Sequence, residues 1–381
     1  MTGKTETAVK WILFIFIAGV SISPAIQKAF RPVSSRPLDG YSEPNPFPGF
    51  SFSGLFEGSF LPLLTKHYDC SIGFHNELVR MHNQADFSLF RIPNARHVVI
   101  GKDDYLFEES YVNAYSGGDF IGVKNIEARV RQFRVAQERL LKEKGILFLV
   151  LLLPDKGTFY PEYIPQRFRR APLEKTNYGC YREKLEEQQV NCIDYNAWFR
   201  AMKDTSAYPL YPKTGIHWST FGAFLAMDSL VRYLEARTGR ALPHPELAGT
   251  MISSTPIDYD NDVERALNLV CSIPSPKLAY PEVRFSKPAN LHPFSALFIG
   301  DSFYFSWAQA GYIGKIFNNR DFWYYDHDVY YGTYPTGKLA TGEDLNRVLA
   351  RQDAIIILQT NAGYGTLGYY FVDRLFEKAA I

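Results

Sequence analysis

The 381-residue sequence predicts an α/β fold in which a mainly parallel sheet is covered by helices on both faces. Two observations carry this expectation. Apolar strand-like runs alternate with amphipathic helical stretches from about residue 96 onward. The densest of these runs, "ILFLVLLLP" (146–154), is apolar throughout and follows directly on a helix. An unbroken apolar run in that setting is the mark of a strand buried on both faces. A third observation sets the N-terminus apart, because its apolar run belongs to no such alternation.

That N-terminal run, "WILFIFIAGVSISPAI" (11–26), is preceded by Lys4 and Lys10 and reads as a membrane anchor. Pro24 directly follows the small residues at 21–23, which argues against cleavage there. Lys28, Arg31 and Arg36 follow the run, so charge on its two sides is nearly balanced. The simplest arrangement is a short cytosolic tail and an exported body. Residues 1–30 are therefore assigned to tail and transmembrane anchor, 31–95 to a linker and a juxtamembrane helical segment, and 96–381 to the main domain. Residues 32–60 are rich in Pro, Ser, Gly and Phe, as a linker would be, and 61–95 carry apolar residues at helical spacing.

Within the main domain, "HVVIGKDDYLF" (97–107) reads as a strand pair with a turn at 101–104. Residues 125–145 form an amphipathic helix with Ile126, Val130 and Phe133 on one face and Gly145 as its C-cap. Strands are expected at 146–154, 190–195, 295–301, 321–327 and 353–360. Helices are expected in "YREKLEEQQ" and at 220–239, 303–318, 342–352 and 369–379. Residues 240–292 break the rhythm with Pro and Asp, and read as an insertion or lid with one short helix near 262–271.

Net charge is +1 and no basic stripe stands out, which speaks against nucleic-acid binding. Cys70, Cys180, Cys192 and Cys271 form no CxxC pair and are expected to be unpaired. No HExxH, P-loop or dinucleotide fingerprint occurs, so no metal or cofactor is implied. Aromatic residues make up 15% of the chain. They serve either a tyrosine-rich core or a groove that stacks on sugar rings.

In sheets of this kind, ligand sites lie beyond the C-terminal ends of the strands. The residues there include Pro154-Asp155-Lys156, Gly300-Asp301-Ser302, Asp326-His327-Asp328 and Thr360-Asn361. Ser302 stands where a strand gives way to a helix. It could be an exposed nucleophile facing an oxyanion site made by backbone N–H groups, or merely a helix cap, as could Asp301. A nucleophilic serine needs a base. His217, ahead of the helix at 220–239, is one candidate, and His327, flanked by two carboxylates, is its rival. Asn361 is placed to be a side-chain oxyanion donor or a turn residue.

These pieces resemble the AlgJ/AlgX-type alginate O-acetyltransferases, a branch of the SGNH hydrolase superfamily. Four stretches carry the likeness: "GKDDYLFEESYVNAYSG" (101–117), "LLLPDKGTFYPEYIP" (151–165), "KTGIHWSTFGAF" (213–224) and "FIGDSF" (298–303). The resemblance implies a three-layer α/β/α sandwich, held outside the cytoplasmic (inner) membrane by a single-pass anchor, on the periplasmic side. It implies acetyl transfer onto an exopolysaccharide through an acyl-serine. The acetyl group would come from a membrane-bound O-acyltransferase partner. Ser302 matches the nucleophile, His217 the base and Asn361 the oxyanion asparagine. One position departs: the family places an aspartate two residues before the histidine, and here Gly215 stands there. Three outcomes are open. Another acid, such as Asp155, Asp326 or Asp328, reaches His217; a Ser-His dyad works alone; or the domain is a catalytically inactive glycan-binding or scaffold component.

Overall fold

The computed structural model describes residues 3–40, 45–168 and 175–378. Residues 41–44 of the expected linker lie outside the described residues. The chain divides into two compact units. One comprises residues 1–96 with 264–272, the other residues 97–263 with 273–381.

The first unit holds the apolar helix Gly3–Phe30, which continues through Pro24. At about 1.5 Å per residue its 28 residues reach about 42 Å, more than the roughly 30 Å of a bilayer's hydrocarbon. None of its most apolar stretch is buried in the protein, so it is long and apolar enough to cross a membrane. Helices Phe60–Ser71 and His75–Ala85 follow. Arg80 ties the second of these to the linker by donating to the carbonyls of Arg36 (2.9 Å) and Pro37 (2.6 Å). Residues 264–272 are pinned in this unit by paired bonds between Asn268 and the backbone of Asp39, at 2.8 and 3.0 Å.

The second unit contains eleven strands among the described residues. They are β1 (Val98–Ile100), β2 (Leu106–Glu108), β3 (Leu147–Leu153), β4 (Cys192–Asp194), β5 (Pro245–Ser253) and β6 (Leu278–Phe285). They continue with β7 (Ala296–Gly300), β8 (Asp321–Tyr324), β9 (Asp328–Tyr331), β10 (Tyr334–Leu339) and β11 (Ala354–Thr360). Seven form one sheet in the order β10-β9-β8-β7-β11-β3-β4. The five from β8 to β4 are parallel, and β9 and β10 extend the sheet as an antiparallel edge.

Strand alternation explains the three layers. Leu147, Leu149, Leu151 and Leu153 of β3 pack on one face with helices Thr220–Thr238 and Phe303–Gln309. Phe148, Val150 and Leu152 pack on the other with helices Val123–Lys144 and Phe371–Lys378. The register leaves the parallel strands ending along one edge: Gly300 stands opposite Leu358 and Tyr324, and Thr360 opposite Leu153.

Three local expectations differ from the structure. The helix expected over 303–318 breaks into Phe303–Gln309 and Tyr312–Ile316 at Gly311, whose φ of 77° is left-handed. Residues 240–292 hold the expected short helix, Asp262–Leu267, but also β5 and β6, an antiparallel ribbon in the second unit, while 264–272 belong to the first. The strands β9 and β10 were not expected: β10 is the exposed edge and includes both Pro335 and Gly337, and β9, next to it, is only half-buried. All four cysteines are free.

Candidate active site

The turn after β7 is shaped by a close backbone approach. A Cβ on Gly300 would sit 2.1 Å from the Leu358 carbonyl oxygen of β11, so only glycine fits. Asp301 then takes the structural work. One carboxylate oxygen accepts from the Phe303 N–H (3.1 Å), at the start of the helix. The other accepts from the N–H (2.7 Å) and hydroxyl (2.9 Å) of Thr360, the last residue of β11. Burial raises the Asp301 pKa above its usual value, against the pull of these bonds. Ser302, the residue at the helix start, makes no capping bond with its side chain. Its hydroxyl is instead 2.9 Å from Nε2 of His217.

His217 is held by the loop ahead of helix Thr220–Thr238. Ser219 caps that helix by accepting from the Gly222 N–H (3.0 Å). Next to His217, the Trp218 indole donates to the Ser306 hydroxyl (2.7 Å), and its ring packs against Phe303 at 5.2 Å between centroids. The histidine loop is thereby locked to the helix that begins after Ser302. Lys156, fully buried after β3, donates to the carbonyls of Lys213 (2.6 Å) and Gly215 (2.8 Å) and fixes the loop from the other side. Burial lowers the Lys156 pKa well below the usual lysine value.

The imidazole has an acid partner: Nδ1 of His217 is 2.8 Å from Asp262 Oδ2. Asp262 Oδ1 accepts from the N–H groups of Ile216 (2.9 Å) and Val263 (2.8 Å). Both carboxylate oxygens are therefore engaged. Burial works against the charge on His217, but the hydrogen bond and charge of Asp262 outweigh it, with help from Asp301 and Glu108, and the imidazole pKa rises above 6.5. Burial likewise opposes the Asp262 charge, and His217 with the two N–H groups outweighs it, so its pKa falls.

The carboxylates considered from the sequence are occupied elsewhere. Asp155 accepts from the Thr158 N–H (2.8 Å) and hydroxyl (2.6 Å). Asp326 pairs with Arg374, and Asp328 lies 3.0 Å from His327. His327, the rival base, thus sits with Asp328 on an exposed turn, and His217 faces Ser302. Asp262 was missed because no local pattern links it to a histidine 45 positions earlier, in a stretch that reads as an insertion. The available signal was Gly215 itself. A Cβ there would lie 2.7 Å from the Asp260 carbonyl oxygen and 2.8 Å from that of Tyr259. The segment that delivers Asp262 occupies the space a side chain at 215 would need.

Asn361 is buried directly after β11. Its amide donates to the Thr158 hydroxyl (3.1 Å), and its Oδ1 has no partner among the described residues. A cleft of about 560 Å³ opens beside Glu108 and Ser110, and Ser302 and His217 are not among the side chains that line it.

Residues 98–299 match the family model of the SGNH hydrolase-like domain of the acetyltransferase AlgX. This chain belongs to that AlgX-type SGNH family. The match covers His217 and Asp262 and stops three residues before Ser302. Over 180 residues the chain is 28% identical to the probable alginate O-acetylase AlgJ of Pseudomonas aeruginosa, covering 46% of this chain and 43% of that protein. It is 21% identical over 195 residues to the corresponding protein of Pseudomonas fluorescens, covering 50% and 48%. The chain thus spans about half the length of the curated relatives it matches. Among solved structures, it is similar to the O-acetyltransferase domain of Pseudomonas putida AlgJ, at 16% identity and a TM-score of 0.49, covering 74% of this chain and 98% of that one. It is also similar to Pseudomonas aeruginosa AlgX, at 15% identity and a TM-score of 0.41, covering 76% and 69%.

Proposed function

We propose that this chain is an O-acetyltransferase, or acetylesterase, that modifies an exopolysaccharide, such as an alginate-like polymer, through an acetyl-Ser302 intermediate. One observation carries the reading: Ser302 Oγ is within 2.9 Å of His217 Nε2, and Asp262 lies 2.8 Å from Nδ1. Both distances are within the reach that proton transfer needs. In the first step Ser302 Oγ attacks the acetyl carbonyl while His217 Nε2 takes its proton. Asp262 holds the tautomer that leaves Nε2 free to accept, and stabilises the imidazolium once formed. The protonated imidazole then gives its proton to the leaving group. In the second step His217 deprotonates a sugar hydroxyl, which attacks the acetyl carbon and regenerates Ser302. The Ser302 N–H and the Asn361 side chain are the oxyanion donors in this reading.

A membrane-bound O-acyltransferase supplies the acetyl group in this reading. The apolar helix Gly3–Phe30 anchors the chain in the cytoplasmic membrane, with the main domain on the periplasmic side. The alternative is an inactive glycan-binding or scaffold component, and the acid beside His217 supports the catalytic reading over it. The test is turnover of p-nitrophenyl acetate by the full chain, followed by mass spectrometry of an added oligosaccharide. Acetate release that disappears in Ser302→Ala and His217→Ala, with acetyl gained by the sugar, is expected. Release that survives in Ser302→Ala would sink the proposal. An alkaline phosphatase fusion after residue 40 tests orientation, and inactivity of that fusion in cells would place the main domain on the wrong side.

A further inference from the structure

Two of the cations that follow the N-terminal apolar run meet in one cleft. The helix Gly3–Phe30 carries no charged side chain from residue 11 to residue 27, a span of about 26 Å at 1.5 Å per residue. That nearly matches the roughly 30 Å of hydrocarbon in a bilayer, and the flexible stems of Lys10 and Lys28 can make up the rest. With this helix across a membrane, Lys28 marks the head-group level on the exit side.

The first unit folds back to that level. Gly73 packs so closely on the helix that a Cβ there would sit 2.1 Å from the Pro24 carbonyl oxygen. Pro24 lies four residues before Lys28, about 6 Å deeper along the helix. The Lys28 ammonium donates to the Ser71 hydroxyl (2.9 Å) and stands 5.3 Å from the centre of the Tyr68 ring. Helices Phe52–Phe56 and Phe60–Ser71, which lead into this contact, bury no residue. Phe52, Phe56, Leu61 and Leu63 are each more than half exposed. Uncovered apolar side chains beside the end of a membrane helix suit the boundary between head groups and acyl chains.

Between the end of the helix and the returning chain lies a cleft of about 590 Å³. Lys28, Arg31 and His75 line it with the hydroxyls of Ser34 and Ser35, and no carboxylate is among its lining side chains. Asp69 and Glu77, on the helices nearby, lie outside that lining. The Arg31 guanidinium makes no ion pair among the described residues. Lys28 spends one N–H on Ser71 and keeps two, and Arg31 keeps its whole planar fork. Such a set of donors suits the oxygens of a phosphate, and the phosphate found at this depth of a bilayer is that of a lipid head group.

We propose that this cleft holds the phosphodiester of an anionic phospholipid, gripped by Lys28 and Arg31. The inference rests on the reading of Gly3–Phe30 as a membrane anchor. It gives a role to cations that otherwise only blur the charge asymmetry across that anchor. The test uses the full chain in detergent at low salt, with lipid binding read by native mass spectrometry. The probes are phosphatidylglycerol, phosphatidylcholine and glycerophosphoglycerol, which is the anionic head group without acyl chains. Each basic residue near an anionic lipid is worth about fivefold in affinity, so phosphatidylglycerol should bind about twentyfold more tightly than phosphatidylcholine. Lys28→Gln and Arg31→Gln should each lose about fivefold of that preference, whereas Lys28→Arg should keep it. Ser71→Ala breaks the same hydrogen bond as Lys28→Gln but leaves both cations, so the preference should survive there. A purely structural role for Lys28 would lose it in both variants. Equal binding of the two lipids, or an unchanged preference in the folded double variant Lys28→Gln, Arg31→Gln, would overturn the proposal. Glycerophosphoglycerol binding as tightly as phosphatidylglycerol would assign the cleft to a soluble phosphate and overturn the lipid. Alkaline carbonate extraction of membranes reports separately on the anchor. Release of the wild-type chain would remove the anchor reading, and retention without a lipid preference would remove this proposal alone.

Discussion

The turn that carries Ser302 and the segment that carries Asp262 meet the same histidine but are built in opposite ways. The serine turn is local. Strand β7, Gly300, Asp301 and a helix follow one another within a few residues, and each has its own conformational reason. The acid is delivered from a distance: Asp262 begins the short helix Asp262–Leu267, and its carboxylate is oriented by N–H groups of Ile216 and Val263. A nucleophile must stand at a defined strand end, whereas an acid need only present one oxygen to Nδ1. The acid can therefore come from another part of the chain when the backbone geometry permits.

Ser302→Ala should cost the most, on the order of 10⁶ in turnover of p-nitrophenyl acetate, if the serine turn is where the bond is made. Asp262→Asn should leave the fold intact and cost about 10⁴, through loss of the correct imidazole tautomer. A cost under tenfold would mean that the distant segment is only packing. The pH profile sharpens the point. His217 must be neutral to accept the serine proton, and Asp262 raises its pKa, so wild-type kcat/KM should climb with pH through a midpoint above 6.5. In Asp262→Asn that midpoint should fall, because the raising partner is gone while burial remains.

Gly215→Asp restores the acid at the position the family favours, but it should lose about 10² in activity, since the new side chain meets the backbone of 259–260 and displaces the loop. The double variant Gly215→Asp, Asp262→Asn should show no rescue, and recovery to wild-type rates would show that the two positions are interchangeable. The smallest effect concerns the lock between the two regions. Trp218→Phe strips the Ser306 hydroxyl of its indole donor and should cost about 1–2 kcal/mol of stability, read from denaturant unfolding.

The legible parts of the molecule were those with a strong periodic signal. The run at 146–154 became strand β3, buried on both faces, and the stretch at 220–239 became helix Thr220–Thr238, capped by Ser219. The edge strand β10 was illegible because solvent-facing residues at an edge carry no burial pattern. Ser302 and His217 could be named because a strand-to-helix turn and a histidine before a capped helix are local features. The capping role that the sequence offered to Ser302 falls to a neighbour, Asp301, whose carboxylate accepts the Phe303 N–H, and the Ser302 hydroxyl stands 2.9 Å from His217 instead.

From the sequence alone follow the strand-helix alternation, the apolar N-terminal helix, the strand ends where chemistry could gather, and the candidate serine with its two rival histidines. Each is governed by residues within a few turns of chain. The acid partner of His217, the close approach of Gly73 to Pro24 and the glycine required at 215 were decided by the tertiary structure. Their positions depend on backbone segments tens of residues apart coming within van der Waals distance, and no periodicity in the chain records that approach.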